Sequence, residues 1–166
     1  IYGIEDFIDV LSKIENKYKK DINYDIWGEG PLEKKLKNKV YNNRLSNIVK
    51  FHGRANQLKV KNLIKKADIL ISPSIDESYG VVCLEAAGLN TPVFGRKIRA
   101  YKESTCENVN SILVNLKNEK QKYIAARIIT DLIINRDNIK ILNQKSSNLF
   151  IENFNSNSFN SEYFYK

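Results

Sequence analysis

The chain has 166 residues, 42% hydrophobic and 28% charged, with 27 Lys and Arg against 19 Asp and Glu for a formal net charge of +8. That length suits one domain with a real core rather than two; no run approaches a membrane span, and no N-terminal stretch has the layout of a signal peptide. Cys83 and Cys106 have neither C-x-x-C spacing nor companions for a zinc site, which excludes a disulfide scaffold and leads us to expect a reducing cytoplasm and no metal.

Ile4, Phe7, Ile8, Leu11 and Ile14 form a stripe at helical spacing and predict an amphipathic helix to about Lys20, with no strand before it. From Ile22 to Trp27 apolar and polar residues alternate up to Gly28-Glu29-Gly30-Pro31. This predicts a strand, a tight turn and a helix that Pro31 opens, with Leu32, Leu36 and Val40 on its buried side. Ile48-Val49-Lys50-Phe51 reads as a short strand closed by Gly53, and Asn56 as the N-cap of a helix carrying Leu58, Leu63 and Ile64.

The most specific stretch is Ser72 to Gly95, S-P-S-I-D-E-S-Y-G-V-V-C-L-E-A-A-G-L-N-T-P-V-F-G, in which Glu77 and Glu85 flank a Gly-centred turn. The apolar run Ala67 to Ile71 precedes it as a buried strand, a short helix follows from Gly80 with Gly88 as its stop, and Thr91-Pro92-Val93-Phe94 begins the next strand. Such a unit places its loop and helix N-terminus at the carboxyl end of the sheet, where open α/β folds bind ligands. Beyond Phe94 we expect a basic loop, Gly95 to Glu103, entering a short helix, then a last strand at Ser111 to Val114. Two more helices are expected, one with Ile124, Ile128, Leu132 and Ile133, the other with Ile139, Leu142, Leu149 and Phe150. Residues 153–166 form a polar and aromatic tail after a domain of residues 1–152. Strands alternating with helices at this spacing predict a doubly wound parallel sheet.

The positive charge is spread with Lys and Asn over nearly every segment, and reads first as compositional bias. No aromatic-interleaved basic motif of the RNA-recognition kind occurs, so no nucleic acid is expected as a partner. Peripheral contact with an anionic membrane is the secondary expectation, and it would hold the chain at the inner membrane face.

From Glu77 to Glu85 the sequence resembles the C-terminal, nucleotide-sugar-binding domain of family-4 (group 1) glycosyltransferases of the GT-B fold. The resemblance covers almost the whole chain. Tyr2-Gly3-Ile4-Glu5-Asp6-Phe7 resembles the start of the family's first helix and Trp27-Gly28-Glu29-Gly30-Pro31 its G-x-G-P turn. Val49-Lys50-Phe51-His52-Gly53 resembles its V-x-F-x-G strand, and Ser72 to Gly95 its glutamate motif. The resemblance implies a retaining, metal-independent transferase with no cofactor, whose substrate is a nucleotide sugar such as a UDP- or GDP-sugar. It also implies an acceptor-binding N-terminal domain that this chain lacks, and a role in surface polysaccharide or glycolipid synthesis.

Carboxylates are acceptor-only groups suited to hydroxyl donors. Glu77 is accordingly assigned to the sugar hydroxyls, as the catalytic-site residue, and Glu85 to the ribose; the alternatives are a Glu77 satisfied by neighbouring amides and a Glu85 paired with a Lys. Tyr79, Gly80, Val81 and Val82 bring free amides to the diphosphate, with Ser78 beside them as a further donor-binding candidate, though Tyr79 also suits a packing role. Gly28 and Gly30 line the donor site or merely close a turn. Arg54, Arg96, Lys97 and Glu103 are candidate phosphate or acceptor contacts, with a solvated face as the favoured alternative for Arg96, Lys97 and Arg99. His52, the lone histidine, reads as structural.

The chain departs from the pattern twice. The family's first strand, central in its sheet and bearing an Arg, is absent, and Tyr2 stands where a Lys is usual. We therefore expect a fragment whose own upstream strand, or another segment, fills that slot. After Phe94 there is no glycine pair before Glu103, so a differently shaped sugar pocket is expected. Two readings from other classes remain: a non-catalytic nucleotide- or partner-binding α/β module, and a basic domain that associates with membrane surfaces.

Overall fold

Phe7, Ile8, Val10 and Leu11 bury one face of α1 (Ile4–Ser12). In the computed structural model, which describes residues 3–105, 107 and 110–142, this helix is shorter than its apolar stripe predicts. It stops at Ser12, and α2 (Asn16–Lys19) follows as a separate turn. The Ser12 hydroxyl donates back to the Asp9 carbonyl at 2.7 Å, and the amides of Lys13 and Ile14 close tight turns onto Val10 and Leu11. These local bonds compete with continued helix, and Ile14 is buried beyond the break.

The remaining elements alternate as expected: β1 (Tyr24–Ile26), α3 (Glu33–Asn42), β2 (Val49–Phe51), α4 (Gln57–Lys66), β3 (Leu70–Ser72), α5 (Val81–Gly88), β4 (Val93–Arg96), α6 (Arg99–Ser104), β5 (Ser111–Val114) and α7 (Glu119–Ile134). Differences from expectation are local. Pro31 sits in a turn closed by the Glu33 amide on the Gly30 carbonyl, two residues before α3, and leaves Leu32 on the surface while Leu36 and Val40 are buried. Asn56 caps α4 as expected, its side chain accepting from the Lys59 amide, but Leu58 is exposed. Gly88 stays inside α5; the left-handed residue beyond it is Asn90, whose φ is 61°, a conformation Asn reaches more readily than most residues. Residues 136–142 are helical. Leu149, Phe150 and the tail 153–166 lie outside the described residues.

All ladders are parallel: β1 pairs with β2, and β4 lies between β3 and β5. Helices lie on both faces. One core joins α1, α3 and α7 to the strands, and a second, smaller one gathers Ile64, Cys83, Ala86, Val93, Ala100, Tyr101 and Leu113 beneath α4, α5 and α6. Neighbouring residues of β4 divide between them, Phe94 to the first core and Val93 to the second, as strand alternation requires.

Among the described residues no ladder joins β1 to β3, so the sheet is split. The Phe7 ring spans the split, with its centroid 5.0 Å from that of Tyr24 in β1 and 6.0 Å from that of Phe94 in β4. The N-terminus of α1 abuts the end of β3: Gly3 has φ of 104°, and a Cβ there would fall 1.8 Å from the Pro73 carbonyl oxygen. Only glycine tolerates both that approach and that backbone. α1 therefore starts at the carboxyl end of β3, beside the gap.

Candidate functional site

The carboxyl end of β3 is anchored before the chain leaves it. Ser72 and Pro73 are buried, and the Ser72 hydroxyl donates to the Tyr101 hydroxyl at 2.6 Å. The Arg96 Nε donates to the Pro73 carbonyl at 3.1 Å. The next six residues, 74–79, form an irregular loop, exposed from Ile75 onward. Gly80, buried and left-handed with φ of 74°, then turns the chain into α5.

Glu77 stands exposed at the middle of this loop and Glu85 half-buried on α5. Neither carboxylate has a hydrogen-bond or ion-pair partner among the described residues. A Lys partner for Glu85 and amide satisfaction for Glu77 are thus both unrealised there. The Cys83 amide is taken by the Gly80 carbonyl at 2.9 Å, whereas the amides of Tyr79, Gly80, Val81 and Val82 donate to none of the described residues. A left-handed glycine, free helix-start amides and two unpaired carboxylates accordingly share one rim. Such a rim offers donors to an anion and acceptors to hydroxyls. Ser78 is exposed there, and Ile75, Tyr79 and Val81 add exposed apolar surface.

The expected glycine turn lies at the carboxyl ends of β1 and β2. Gly28 donates its amide to the Gly53 carbonyl at 2.7 Å, and a Cβ on Gly28 would meet nothing within 4 Å, so the space above it is open. Gly30 closes the turn before α3. Arg54 is exposed and pairs with Glu29 at 3.1 Å. His52 stacks on Trp27, with centroids 4.3 Å apart and planes 11° from parallel, and its Nε2 meets the Asp25 carboxylate. Its packing and pairing fit the structural reading.

The basic stretch after Phe94 divides. Lys97 pairs with Glu107, and Arg99 with Glu103 at 2.7 Å, both on the surface. Arg96 is neither in a loop nor on a solvated face. It ends the fully buried strand β4, with its side chain one tenth exposed and paired to Asp6. That guanidinium has its partners inside the protein, so a contact to phosphate or acceptor would have to displace them. The cause is its position on β4, which points it under the end of β3 and toward α1.

Sequence reasoning missed this interior. Asp6 takes Arg96 and Lys122, the latter at 2.9 Å; Asp9 takes Lys122 at 2.8 Å and Lys39 at 2.6 Å. Burial pushes the Asp6 and Asp9 carboxyls up, and the hydrogen bonds from Lys122, with Arg96 on Asp6 and Lys39 on Asp9, bring both below the ordinary carboxylate value. Lys122 loses ground to burial, yet its two carboxylates raise it to about 12. The available signal was a charged residue amid apolar neighbours, as at Asp6 and Asp9 within the α1 stripe. Cys83 is buried and its thiol pushed up to about 12, chiefly by burial; it is inert rather than nucleophilic. Among the described residues no group of His, Cys, Asp and Glu side chains is placed to hold a metal ion, and no helix is long and apolar enough to cross a membrane.

Comparison with known proteins gives a consistent picture. The model of the family described as glycosyl transferases group 1 matches residues 2–149. An uncharacterized glycosyltransferase of Methanocaldococcus jannaschii is 29% identical over 116 residues, which is 70% of this chain and 31% of that protein. Among solved structures, an S. aureus TarM mutant in complex with fondaparinux, alpha-GlcNAc-glycerol and UDP superimposes with a TM-score of 0.79 at 21% identity, over 91% of this chain and 30% of that one. Anabaena HepE in complex with UDP and glucose gives 0.77 at 20% identity, over 92% of this chain and 41% of that one. The chain therefore spans about a third of the length of the curated relative, and the structural likeness, at these identities, establishes the fold.

Proposed function

The chain belongs to the glycosyl transferases group 1 family, and from that premise we propose that it is the nucleotide-sugar-binding half of a retaining glycosyltransferase. The observation that carries this is the pair Glu77 and Glu85, unpartnered among the described residues, on either side of the α5 start amides that donate to none of those residues. In this reading Glu85 accepts from the ribose, Glu77 from the sugar, and the amides of Gly80, Val81 and Val82 hold the diphosphate. Solved neighbours in complex with UDP support that ligand class.

The acceptor hydroxyl attacks the anomeric carbon on the face from which the diphosphate departs. Glu77 orients the sugar, the α5 amides take the charge that develops on the leaving group, and the acceptor's proton leaves with the diphosphate. We further assign the chain to the C-terminal domain of a family-4 enzyme. It works with an acceptor-binding domain outside this sequence, without which it transfers nothing, and at the cytoplasmic face of a membrane, in polysaccharide or glycolipid assembly. A strand between β1 and β3 completes the sheet, and the start of α1 against Pro73 supports its placement there.

Titration of UDP and a panel of UDP- and GDP-sugars into wild type, Glu77→Ala and Glu85→Ala tests the site. A charged hydrogen bond lost at Glu85 weakens nucleotide and nucleotide sugar alike by about ten-fold or more. Loss of Glu77 weakens only the sugar-bearing ligands. Equal binding by all three proteins sinks the assignment, and binding of nucleotide without preference for any attached sugar points instead to a non-catalytic nucleotide module.

A further inference from the structure

The loop that carries Glu77 leaves β3 at Ser72 and rejoins regular structure at Gly80, and one side chain from a third element touches both points. We propose that Tyr101 is a positioning residue of the nucleotide-sugar site. It holds the two ends of the 73–79 loop in a fixed relation, so that Glu77 and the α5 amides converge on one ligand. The assignment rests on the nucleotide-sugar reading above.

At the first end, the Tyr101 hydroxyl accepts from Ser72 Oγ at 2.6 Å, with both residues almost wholly buried. At the second, the ring lies against Gly80: a Cβ there would stand 2.8 and 2.9 Å from two ring carbons. The opposite edge of the ring meets Gly95 of β4, where a Cβ would fall at 3.2 Å. Two glycines thus make room for one ring.

The ring's own helix is fixed in turn. The Thr105 amide and hydroxyl both donate to the Tyr101 carbonyl, and the Thr105 hydroxyl meets the Ser111 hydroxyl of β5 at 2.8 Å. Arg96 holds the Pro73 carbonyl on the other flank of Ser72. Packing alone would be served by phenylalanine. Burying a hydroxyl is unfavourable unless it is paired, and this one is paired with the last residue of β3. Burial raises the Tyr101 hydroxyl's titration, Ser72 and Ser74 hydrogen bonds lower it, and Glu77 lies near enough to raise it further, so the hydroxyl stays neutral beneath the loop.

The test uses Tyr101→Phe and Ser72→Ala in the full-length protein, with Glu85→Ala as the marker of an occupied site. UDP-glucose is the binding probe, and amide hydrogen exchange is followed without ligand. Each single change should weaken UDP-glucose about five-fold, with the double variant no weaker than either single one because they remove the same bond. Exchange should rise about five-fold or more at Cys83 and Leu84, whose amides close the first turn of α5 onto the Gly80 carbonyl, and stay unchanged in β5 and α7. Conservation of the ring keeps the fold, so thermal unfolding identifies any variant that has simply lost structure; in that event Ser72→Ala carries the test alone.

Unchanged affinity together with unchanged exchange in Tyr101→Phe overturns the proposal, and so does a rise spread evenly over the chain. If wild type binds neither UDP-glucose nor UDP, the functional reading for this nucleotide fails by itself. The exchange measurement still decides whether Tyr101 sets the loop: a rise confined to Cys83 and Leu84 at the start of α5 supports it, and no rise overturns it.

Discussion

The two parallel sheets are built from similar strand and helix units, yet they are closed differently. In β3-β4-β5 the central strand is buried at every residue, and its carboxyl end is fastened by internal polar contacts: Tyr101 to Ser72, Arg96 to Pro73 and to Asp6. In β1-β2 each strand exposes its middle residue, Asp25 and Lys50, and the carboxyl end is closed by a glycine bridge and a partly exposed Trp27–His52 stack. The first sheet fastens its rim chiefly from β4 and α6, with Asp6 of α1 behind Arg96; the second packs against α1, which lies between α3 and α7. The loop that carries Glu77 belongs to the sheet whose loop ends are fixed from inside.

Phe7→Ala is the largest way to break that contrast, because the ring is the aromatic bridge between the sheets. Loss of a buried Phe costs about 3–5 kcal/mol. Urea unfolding should show β1-β2 losing structure before β3-β4-β5, and a single transition shifted by less than about 1 kcal/mol would mean that the sheets do not lean on Phe7.

Gly80→Ala breaks the fastened half instead. The new Cβ meets Tyr101 at 2.8 Å while the backbone keeps φ of 74°. Left-handed strain and overpacking together cost about 2–4 kcal/mol, and nucleotide binding should fall with stability. The same substitution at Gly28, where a Cβ meets nothing, is strained by its φ of 130° alone, a backbone open almost only to glycine, so its cost is conformational and leaves Tyr101 and the Glu77 loop in place. Chemical denaturation of the two variants side by side measures the difference.

Acid acts on the ionic layer behind Arg96. Asp6 and Asp9 titrate below their ordinary value of 3.8. Their contribution is whole above that value and is lost as pH falls through their lower folded values. Lys122 runs the opposite way: raised to about 12, it stabilises fully below 10.5 and less as pH rises through about 12. Asp6→Asn should cost about 1–2 kcal/mol at neutral pH and flatten the acid limb of a melting-temperature profile. A parallel, undiminished acid limb would remove Asp6 from the linkage.

The sequence made the alternation of strands and helices legible because each strand is an apolar run bounded by turn residues, and Ser111 to Val114 falls where expected. The turn that holds Glu77, Gly80 and Glu85 was legible for a related reason: its residues are local in sequence. What supports them was not. Ser72 and Tyr101 meet across 29 positions, and Asp6 and Arg96 across 90, and no periodicity reports a pairing of that range. The break at Ser12 was hidden because Ile14 continues the stripe after the helix has ended. Arg96 read as surface because charge usually marks solvent, whereas its stem belongs to a buried strand and its head to Asp6.

Asn56 gives the smallest and most discriminating effect. α4 carries the chain from β2 to β3, and of its residues only Ile64 is buried. A helix with so little packed surface depends more than usual on its ends, and Asn56 supplies the N-terminal one through the Lys59 amide at 2.9 Å. Asn56→Ala should cost about 1 kcal/mol. Asn118→Ala removes the equivalent cap from α7, a helix with four buried residues along its length, and the same cost should there be spread over a better-packed element. Hydrogen exchange separates the two: fraying after Asn56→Ala should reach the middle of α4, while after Asn118→Ala it stays in the first turn of α7. Equal fraying in both would mean that the connection between the sheets is as firmly packed as the helix that braces them, and the contrast between a self-fastened half and a leaning half would lose its physical basis.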